Sequence, residues 1–264
     1  MLNIVDLHQK FEIGTINEKH VLHGINLNVN EGDFITIIGG NGAGKSTMLN
    51  AISGSNPVTS GKIMLDDVDL TRAPEFKRAK YIGRVFQDTR MGTASDLTIE
   101  ENLAIAYRRG KPRTLKIGIT RNEKELYKNM LAELDLGLDK RLKDKTRYLS
   151  GGQRQALTLL MATFHHPKLL LLDEHTAALD PKTAKKVLEL TVKIVGENNL
   201  TALMVTHNMR DAIRIGNRLI MLHKGQIILD ISGEEKKKLD VPDLLAMFEK
   251  ASGEEMNNDR MLLS

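Results

Sequence analysis

The chain has 264 residues, and its 38 basic and 34 acidic side chains give a formal net charge of +4 at pH 7. Hydrophobic residues make up 41% and charged residues 27% of the chain, and these globular values argue against a disordered or fibrous protein. The absence of cysteine excludes a disulfide framework, thiolate zinc sites and a cysteine nucleophile. The apolar runs are far shorter than the roughly 20 residues of a membrane span, and the N-terminus lacks a secretory pattern, so we expect a cytosolic protein.

Nine short runs rich in apolar and β-branched residues predict strands. In chain order they are residues 2–7, 20–29, 34–38, 62–65, 81–86, 169–172, 201–205, 218–222 and 226–230. Residues 169–172 and 201–205 are continuously apolar, as in central parallel strands that are covered on both faces. Helices are predicted after Gly44, Pro181 and Asn208, and this alternation predicts a parallel sheet with helices on its faces.

Residues 88–165 have a different pattern, which is helical in period and nearly free of strand signals. Residues 98–101, with the sequence Thr-Ile-Glu-Glu, fit a capping box that begins one helix. Residues 122–136 place Leu126, Met130, Leu131 and Leu134 at helical spacing. We interpret this segment as an inserted α-helical subdomain.

Two short basic clusters stand out from the modest net charge. They are Arg108, Arg109, Lys111, Arg113 and Lys116 in the middle of the chain, and residues 236–238 near its end. Such clusters are typical of a solvated face, and a patch for nucleic acid or lipid headgroups is the alternative. Because aromatic residues make up only 4% of the chain and tryptophan is absent, few side chains could stack on single-stranded nucleic acid.

A glycine-rich segment between a predicted strand and a predicted helix follows the pattern G-x-x-x-x-G-K-[ST]. Glycines let successive N–H groups point at phosphate oxygens, and the N-terminus of a helix favours an anion. Lys45 is predicted to reach the β- and γ-phosphates, and the Ser46 hydroxyl to bind Mg²⁺. The alternative is a turn that merely contains a lysine. The predicted nucleotide-binding residues here are Gly39, Asn41, Gly42, Ala43, Gly44, Lys45, Ser46 and Thr47.

Two adjacent carboxylates end the apolar run of residues 169–172. Asp173 is predicted to hold Mg²⁺, directly or through water, and Glu174 to polarise the water that attacks the γ-phosphate. Taken alone, a buried strand that ends in two acids is often only structural. Its combination with the phosphate loop favours a catalytic role.

The pentapeptide Leu149-Ser-Gly-Gly-Gln153 begins a predicted helix just before the carboxylate strand. Its hydroxyl and N–H groups at a helix N-terminus form a second anion site, made by Ser150, Gly151, Gly152 and Gln153. With these motifs in this order, residues 4–230 resemble the nucleotide-binding subunits of ATP-binding cassette (ABC) transporters. The resemblance implies a head-to-tail homodimer in which the phosphate loop of one subunit faces this pentapeptide of the other across ATP.

The same resemblance assigns roles to further residues. Phe11 corresponds to an aromatic residue that stacks on adenine, although packing under a strand is the alternative. Gln87 corresponds to a Mg²⁺ ligand that senses the membrane partner, and His207 to a histidine that contacts the γ-phosphate. Asp180 lies in a loop through which the subunits sense each other, and it also suits a helix N-cap. One departure is His175, which replaces a common proline after the catalytic glutamate, and we expect it to change loop stiffness rather than chemistry.

The expected fold is α/β: a P-loop NTPase core with a parallel sheet and flanking helices, a small antiparallel β subdomain and the inserted α-helical subdomain. The predicted divisions are residues 1–87 with 166–231, residues 88–165, and a short C-terminal tail of residues 232–264. The resemblance implies an ATPase that uses ATP and Mg²⁺ at the cytoplasmic face of the membrane. Its implied partners are separate transmembrane permease subunits and an extracytoplasmic substrate-binding protein, with no nucleic acid.

The cargo and two alternatives rest on weaker signals. The segments around residues 173–184 and 259–264 resemble an uptake subfamily for amino acids, including aromatic ones. A soluble ABC ATPase that acts on ribosomes or nucleic acid would share the motifs, but such proteins usually carry two cassettes or long coiled coils. A small-molecule kinase would share the phosphate loop but has no need of Leu149-Ser-Gly-Gly-Gln153.

Overall fold

The computed structural model describes residues 1–111 and 118–253. The chain divides into two compact units: the first comprises Met1–Arg78 and the chain from Leu200 onward, and the second comprises Ala79–Asn199. The second unit is larger than the predicted helical subdomain, because two strands and one further helix associate with the helices of that segment. Arg113 and Lys116 of the predicted basic cluster, and residues 254–264 of the predicted tail, lie outside the described residues.

The first unit contains an antiparallel and a mostly parallel arrangement of strands. The antiparallel sheet has the order β2-β1-β4-β5 and consists of β1 (Leu2–Phe11), β2 (Lys19–Val29), β4 (Ser60–Leu65) and β5 (Val68–Asp69). In the other arrangement, β3 (Phe34–Ile38) pairs in parallel with β8 (Ala202–Val205) and β9 (Arg218–His223), and β10 (Gln226–Ser232) pairs antiparallel with β9. Every residue of β3 and β8 is buried, which explains why both segments are so apolar.

The described residues of the first unit form five helices: α1 (Lys45–Ser53), α2 (Glu75–Arg78), α7 (Met209–Arg214), α8 (Gly233–Lys238) and α9 (Val241–Ser252). The last two fall within the predicted C-terminal tail. Leu239, Leu244 and Phe248 are buried in one apolar cluster with residues of β9 and β10. The described part of that tail is therefore packed into the first unit, because its amphipathic pattern supplies an apolar face.

The second basic cluster does not form a uniformly solvated face. Lys236 is 3% exposed, and its Nζ donates to the carbonyls of Ile213, Ile215 and Gly216 at the end of α7. Burial lowers the pKa of Lys236 to about 8. This lysine caps a helix C-terminus, where carbonyl groups lack partners within the helix.

The second unit combines a parallel strand pair with helices. Strand β6 (Ile82–Val85) pairs with β7 (Leu169–Asp173), and the helices are α3 (Ile99–Tyr107), α4 (Arg121–Ala132), α5 (Gly151–Thr163) and α6 (Pro181–Glu197). The described residues between 88 and 165 hold three of these helices and no strand. Their core includes Leu103, Tyr127, Leu131 and Leu157. Arg108 and Arg109 donate to main-chain carbonyls of this unit, so these two cluster members are structural as well as charged.

All nine predicted strands form, and the α/β class is confirmed. Strand β1 is four residues longer than predicted because it continues to pair with β2 as far as Phe11. The two-residue strand β5 was not predicted. Helix α4 ends at Ala132, which is earlier than the helical spacing of residues 122–136 predicts. Leu134 is nevertheless buried, in the turn that follows the helix.

Candidate nucleotide-binding site

The phosphate loop depends on glycine at positions with unusual backbone geometry. Gly39, Gly42 and Gly44 have φ angles of 152°, 77° and 101°. A Cβ on Gly39 would lie 2.2 Å from the Leu222 carbonyl oxygen, and one on Gly44 would lie 2.8 Å from the Leu22 side chain. Both positions therefore exclude a side chain, whereas Gly42 faces open space and is needed for its conformation alone.

The hairpin of β9 and β10 contacts the phosphate loop through main-chain hydrogen bonds. The Gly225 N–H donates to the Ala43 carbonyl at 3.0 Å, and the His23 N–H donates to the Gly225 carbonyl at 2.9 Å. A Cβ on Gly225 would lie 2.1 Å from the Val21 carbonyl oxygen, so the backbones approach closely at this point. The turn between β9 and β10 and strand β2 thus hold the loop in place.

Lys45 extends from the first turn of α1 back over the loop. Its side chain is buried, and Nζ donates to the carbonyls of Gly39 at 2.8 Å and Gly40 at 3.1 Å. Ser46 and Thr47 follow it in the helix, and Asn41 lies in the preceding turn. A fixed ammonium beside a glycine-rich turn and a helix N-terminus suits polyphosphate binding.

Asp173 ends the buried strand β7 and is 8% exposed. The guanidinium of Arg84, on the neighbouring strand β6, approaches its Oδ2 at 3.5 Å. Arg84 also lies over the ring of Phe86, with 4.6 Å between the guanidinium carbon and the ring centroid. The guanidinium of Arg84 thus partly compensates the negative charge of the buried Asp173 carboxylate.

Glu174 has a backbone conformation that is uncommon for a residue with a side chain. Its φ is 45°, it is 9% exposed, and its carbonyl accepts from the Ala177 N–H at 2.9 Å. Left-handed geometry of this kind is costly for a glutamate and is often found at functional positions.

His175 is buried immediately after this strained residue. It is 2% exposed, and its Nε2 lies 2.9 Å from Oγ1 of Thr191 in α6. The Thr191 hydroxyl donates its only proton to the Val187 carbonyl, so His175 Nε2 must donate to Oγ1. Burial lowers the pKa of His175 to about 4, and the ring is therefore neutral near pH 7.

Gln87 and His207 each follow a strand of their own unit. Gln87 is exposed beyond the end of β6, and the preceding Phe86 carbonyl accepts from Gln155 Nε2 at 3.0 Å. His207 is half-buried between β8 and α7, where the Asn208 side chain caps the helix by accepting from the Asp211 N–H. Both side chains thus lie at the carboxyl ends of parallel strands, where open α/β sheets commonly bind ligands.

The pentapeptide caps α5 as predicted. Ser150 Oγ accepts from the Gln153 N–H at 3.2 Å, and Gln153 Oε1 accepts from the Ser150 N–H at 3.2 Å. A Cβ on Gly152 would lie 2.0 Å from the Thr183 Cγ2 of α6, so this glycine also permits close packing of two helices. Gly151 is exposed at the helix N-terminus and lies against Leu179.

Two other predicted residues occupy the ends of elements. Asp180 caps α6 by accepting from the Thr183 N–H at 3.1 Å, and hydrogen bonds from Thr183 hold the pKa of its carboxyl below the usual range. Phe11 is half-buried at the end of β1, opposite Lys19. The cap prediction for Asp180 is confirmed, and adenine stacking by Phe11 stays a prediction.

The family model described as ABC transporter matches residues 22–177, which is more than half of the chain. The chain belongs to the ABC transporter family. A tyrosine transport ATP-binding protein of Clostridioides difficile is 46% identical over 251 residues, which cover 95% of this chain and all of that protein. A methionine import ATP-binding protein of Streptococcus agalactiae is 33% identical over 244 residues, covering 90% of this chain and 63% of that protein.

Solved ABC cassettes have the same fold. A dimeric ATP-binding cassette in a post-hydrolysis state with ADP and Pi superposes with a TM-score of 0.75 at 28% identity, covering 88% of this chain and 98% of that one. As an ATP-binding subunit of this family, the chain is an ATPase. The predicted family and ATPase activity are confirmed.

Sequence reasoning missed several residues that support the ABC motifs. Arg84 pairs with Asp173, Gln155 holds the segment before Gln87, and Thr191 fixes the tautomer of His175. An arginine within the predicted strand of residues 81–86 was the one available signal, since a charge there needs a partner. The other two contacts join residues from different elements and have no sequence pattern.

Proposed function

We propose that this ATPase powers the import of an aromatic amino acid of the tyrosine class. The observation that carries the proposal is the 46% identity to a tyrosine transport ATP-binding protein over the whole length of that protein. The methionine import relative is less similar, at 33% identity over a smaller share of its own length. The ATPase supplies the energy, and the choice of cargo belongs to the partner proteins.

The residues at the candidate site fit Mg-ATP. The Lys45 ammonium would bind the β- and γ-phosphates, because its position over the loop is fixed by two carbonyls. A hydroxyl, an amide and a carboxylate, from Ser46, Gln87 and Asp173, are the oxygen ligands that Mg²⁺ accepts. When bound, Mg²⁺ would neutralise charge on the transferring phosphoryl group. This donor set supports the predicted requirement for Mg²⁺.

Hydrolysis needs a base for water and a group that contacts the γ-phosphate. We assign the first role to Glu174, whose carboxylate follows the buried strand β7, and the second to His207. Because burial lowers the pKa of His175 to about 4, its ring is neutral near pH 7 and places no positive charge beside Glu174 that would weaken that carboxylate as a base. The substitution of histidine for the common proline is compatible with this chemistry.

A second copy of the chain would complete each ATP site. Ser150, Gly151, Gly152 and Gln153 would bind the nucleotide of the partner, using the N-terminus of the 13-residue helix α5. Asp180 would lie in the segment through which the subunits sense each other. The dimeric form of a solved cassette of the same fold supports this arrangement. ATP would favour the closed dimer, and loss of the γ-phosphate would favour the open one.

The other partners follow from the transport role. Among the described residues, no helix has both the length and the apolar character needed to cross a bilayer. Separate permease subunits would supply the membrane path, and a substrate-binding protein would deliver the amino acid. The ATPase would then act at the cytoplasmic face of the membrane.

The test is to isolate the chain from membranes of its own cell with whatever binds it, and to reconstitute that complex in liposomes. We expect a permease to copurify and ATP hydrolysis to rise several-fold with tyrosine and its binding protein, and less with methionine. Equal stimulation by methionine would contradict the proposed cargo. Ribosomal proteins in place of a permease would favour the soluble ABC ATPase instead.

A further inference from the structure

A buried threonine on α6 carries a hydroxyl that the packing of the helix does not need. Thr191 has no exposed surface and lies on the buried face of α6 with Val187, Leu188 and Val195. Valine has the same branched shape and would fill that face equally well. A threonine hydroxyl that bonds to the carbonyl one turn earlier even destabilises a helix slightly. The hydroxyl of Thr191 is therefore explained by a contact outside its own helix.

That contact is with His175, the residue after Glu174. Thr191 Oγ1 donates to the Val187 carbonyl at 2.8 Å and accepts from His175 Nε2 at 2.9 Å. Because both side chains are buried, bulk water does not compete for this hydrogen bond. The chain is thus joined to the middle of α6 one residue beyond Glu174.

Helix α6 is a firm support for this bond. It has 17 residues, and the Asp180 side chain caps its N-terminus. Gly152 allows α5 to pack closely against Thr183 of α6. A segment that is bonded to α6 therefore has little freedom to move relative to the rest of the second unit.

Glu174 depends on such a restraint because of its backbone conformation. Strand β7 before it is buried along its whole length, and Glu174 then has a φ of 45°, in the left-handed region. The free-energy cost of that conformation for a glutamate is of the same order as the net contribution of one hydrogen bond. The hydrogen bond between His175 and Thr191 is therefore strong enough to keep Glu174 in this conformation.

We infer that Thr191, acting through His175, is a positioning residue for Glu174 in ATP hydrolysis. The inference rests on the proposed role of Glu174 as the base for water. A base acts only within hydrogen-bond reach of its water, and the backbone angles of Glu174 set the direction in which its carboxylate extends. Thr191 has no exposed surface and so does not touch ATP itself. Loss of its hydroxyl should therefore lower the rate of hydrolysis and leave ATP affinity unchanged.

The first experiment removes the hydroxyl and keeps the shape of the side chain. In Thr191→Val we expect kcat to fall about 5-fold, because one hydrogen bond is lost from the support of the base. The affinity for a non-hydrolysable ATP analogue, measured by calorimetry, should not change. Thr191→Ser keeps the hydroxyl and should restore most of the rate. A wild-type kcat in Thr191→Val would overturn the inference.

Thr163→Val is the matched control for the change from hydroxyl to methyl. Thr163 is a buried threonine in α5, and its hydroxyl donates to the carbonyls of Leu159 and Leu160 in its own helix. We expect kcat of this variant to match the wild type. A loss as large as that of Thr191→Val would contradict a role specific to Thr191. Urea unfolding establishes that each variant is folded.

The second experiment asks whether Thr191 acts through Glu174. Residues that act as a unit have non-additive effects, so adding Thr191→Val to Glu174→Gln should leave the residual single-turnover rate unchanged. A general loosening of the structure would lower the rate by the same factor in both backgrounds, and that result would exclude the positioning role.

A third combination separates stability from rate. Thr191→Val alone leaves the buried His175 Nε2–H without its acceptor, which lowers the free energy of unfolding. Adding His175→Leu replaces both polar partners by apolar groups, so stability should recover while kcat stays low. Recovery of kcat together with stability would mean that packing alone positions Glu174, contrary to the inference.

Failure of the proposed function gives a different result. Wild-type hydrolysis in Glu174→Gln would contradict the assignment of Glu174 as the base, and with it this inference. Loss of hydrolysis in Glu174→Gln with unchanged kcat in Thr191→Val would overturn only the positioning role of Thr191.

Discussion

Replacing His175 with glutamine should make the stability of the protein less sensitive to acid. In the folded chain the ring is buried, and its Nε2 donates to Thr191 Oγ1. Burial lowers the pKa of His175 from its ordinary 6.5 to about 4. The unfolded chain exposes the same ring, which then titrates near its ordinary pKa. Glutamine retains an amide donor for Thr191 but does not titrate in this range.

The magnitude follows from proton linkage. Between pH 6.5 and about 4 the unfolded state binds a proton at this residue that the folded state does not, so the free energy of unfolding falls as the pH falls. Each pH unit within that window costs about 1.4 kcal/mol, which gives a loss of about 3 kcal/mol over the whole window. Above pH 6.5 the ring is neutral in both states, and this contribution disappears.

The assay is urea unfolding of the wild-type protein and of His175→Gln, at about pH 7.5 and about pH 5, followed by far-ultraviolet circular dichroism. At the lower pH the wild type should lose about 2 kcal/mol more than the variant, whatever the difference between them at neutral pH. Imidazole NMR should independently show a neutral His175 with its proton on Nε2 at about pH 5. Equal losses in both proteins, or a charged ring at that pH, would refute the account of a buried neutral histidine.

The other predictions concern the ATP site and the packing beside it. Lys45→Ala should weaken ATP binding at least about tenfold in calorimetry, because a charge-assisted contact to phosphate is lost; unchanged affinity would remove Lys45 from the site. Glu174→Gln should retain ATP binding but lose about 100-fold or more in hydrolysis rate, because the base for water is removed. The variant should elute from size exclusion as a dimer when ATP is present. A monomer with wild-type turnover would contradict both the role of Glu174 as the base and the ATP-dependent dimer. Gly152→Ala should lower the free energy of unfolding by about 1–3 kcal/mol, because the new methyl group would clash with Thr183 Cγ2. Adding Thr183→Ser, which removes that methyl group of Thr183, should restore part of the lost stability. Equal losses in the single and double variants would exclude the clash.

The motifs could be predicted from the sequence because each of them is formed by residues that are close together in the chain. The phosphate loop, the carboxylates after β7 and the cap formed by Ser150 and Gln153 need only neighbours within a few residues. Glycine patterns, helix caps and buried apolar runs report directly on backbone conformation, so these elements were found in order. Their roles in catalysis stay predictions until the substitutions are made.

Long-range contacts could not be predicted from the sequence, because the order of the residues does not show which distant side chains will be in contact. The sequence predicted only a short C-terminal tail from residue 232, and the fold shows that α9 within it buries Leu244 and Phe248. Lys236 belongs to a basic run in the sequence, and the fold makes it a buried cap for α7, because its amine donates to three main-chain carbonyls there.

By itself the sequence determined the family and the order of the elements, and it predicted which residues bind phosphate, because these features depend on short motifs with strict conformational needs. The tertiary structure alone decided that His175 is neutral, since that depends on burial and on Thr191, 16 residues away. It also decided that His8 and His20 form a hydrogen bond, because the register of two strands, rather than their sequences, brings Nδ1 of His8 to 3.1 Å from Nε2 of His20.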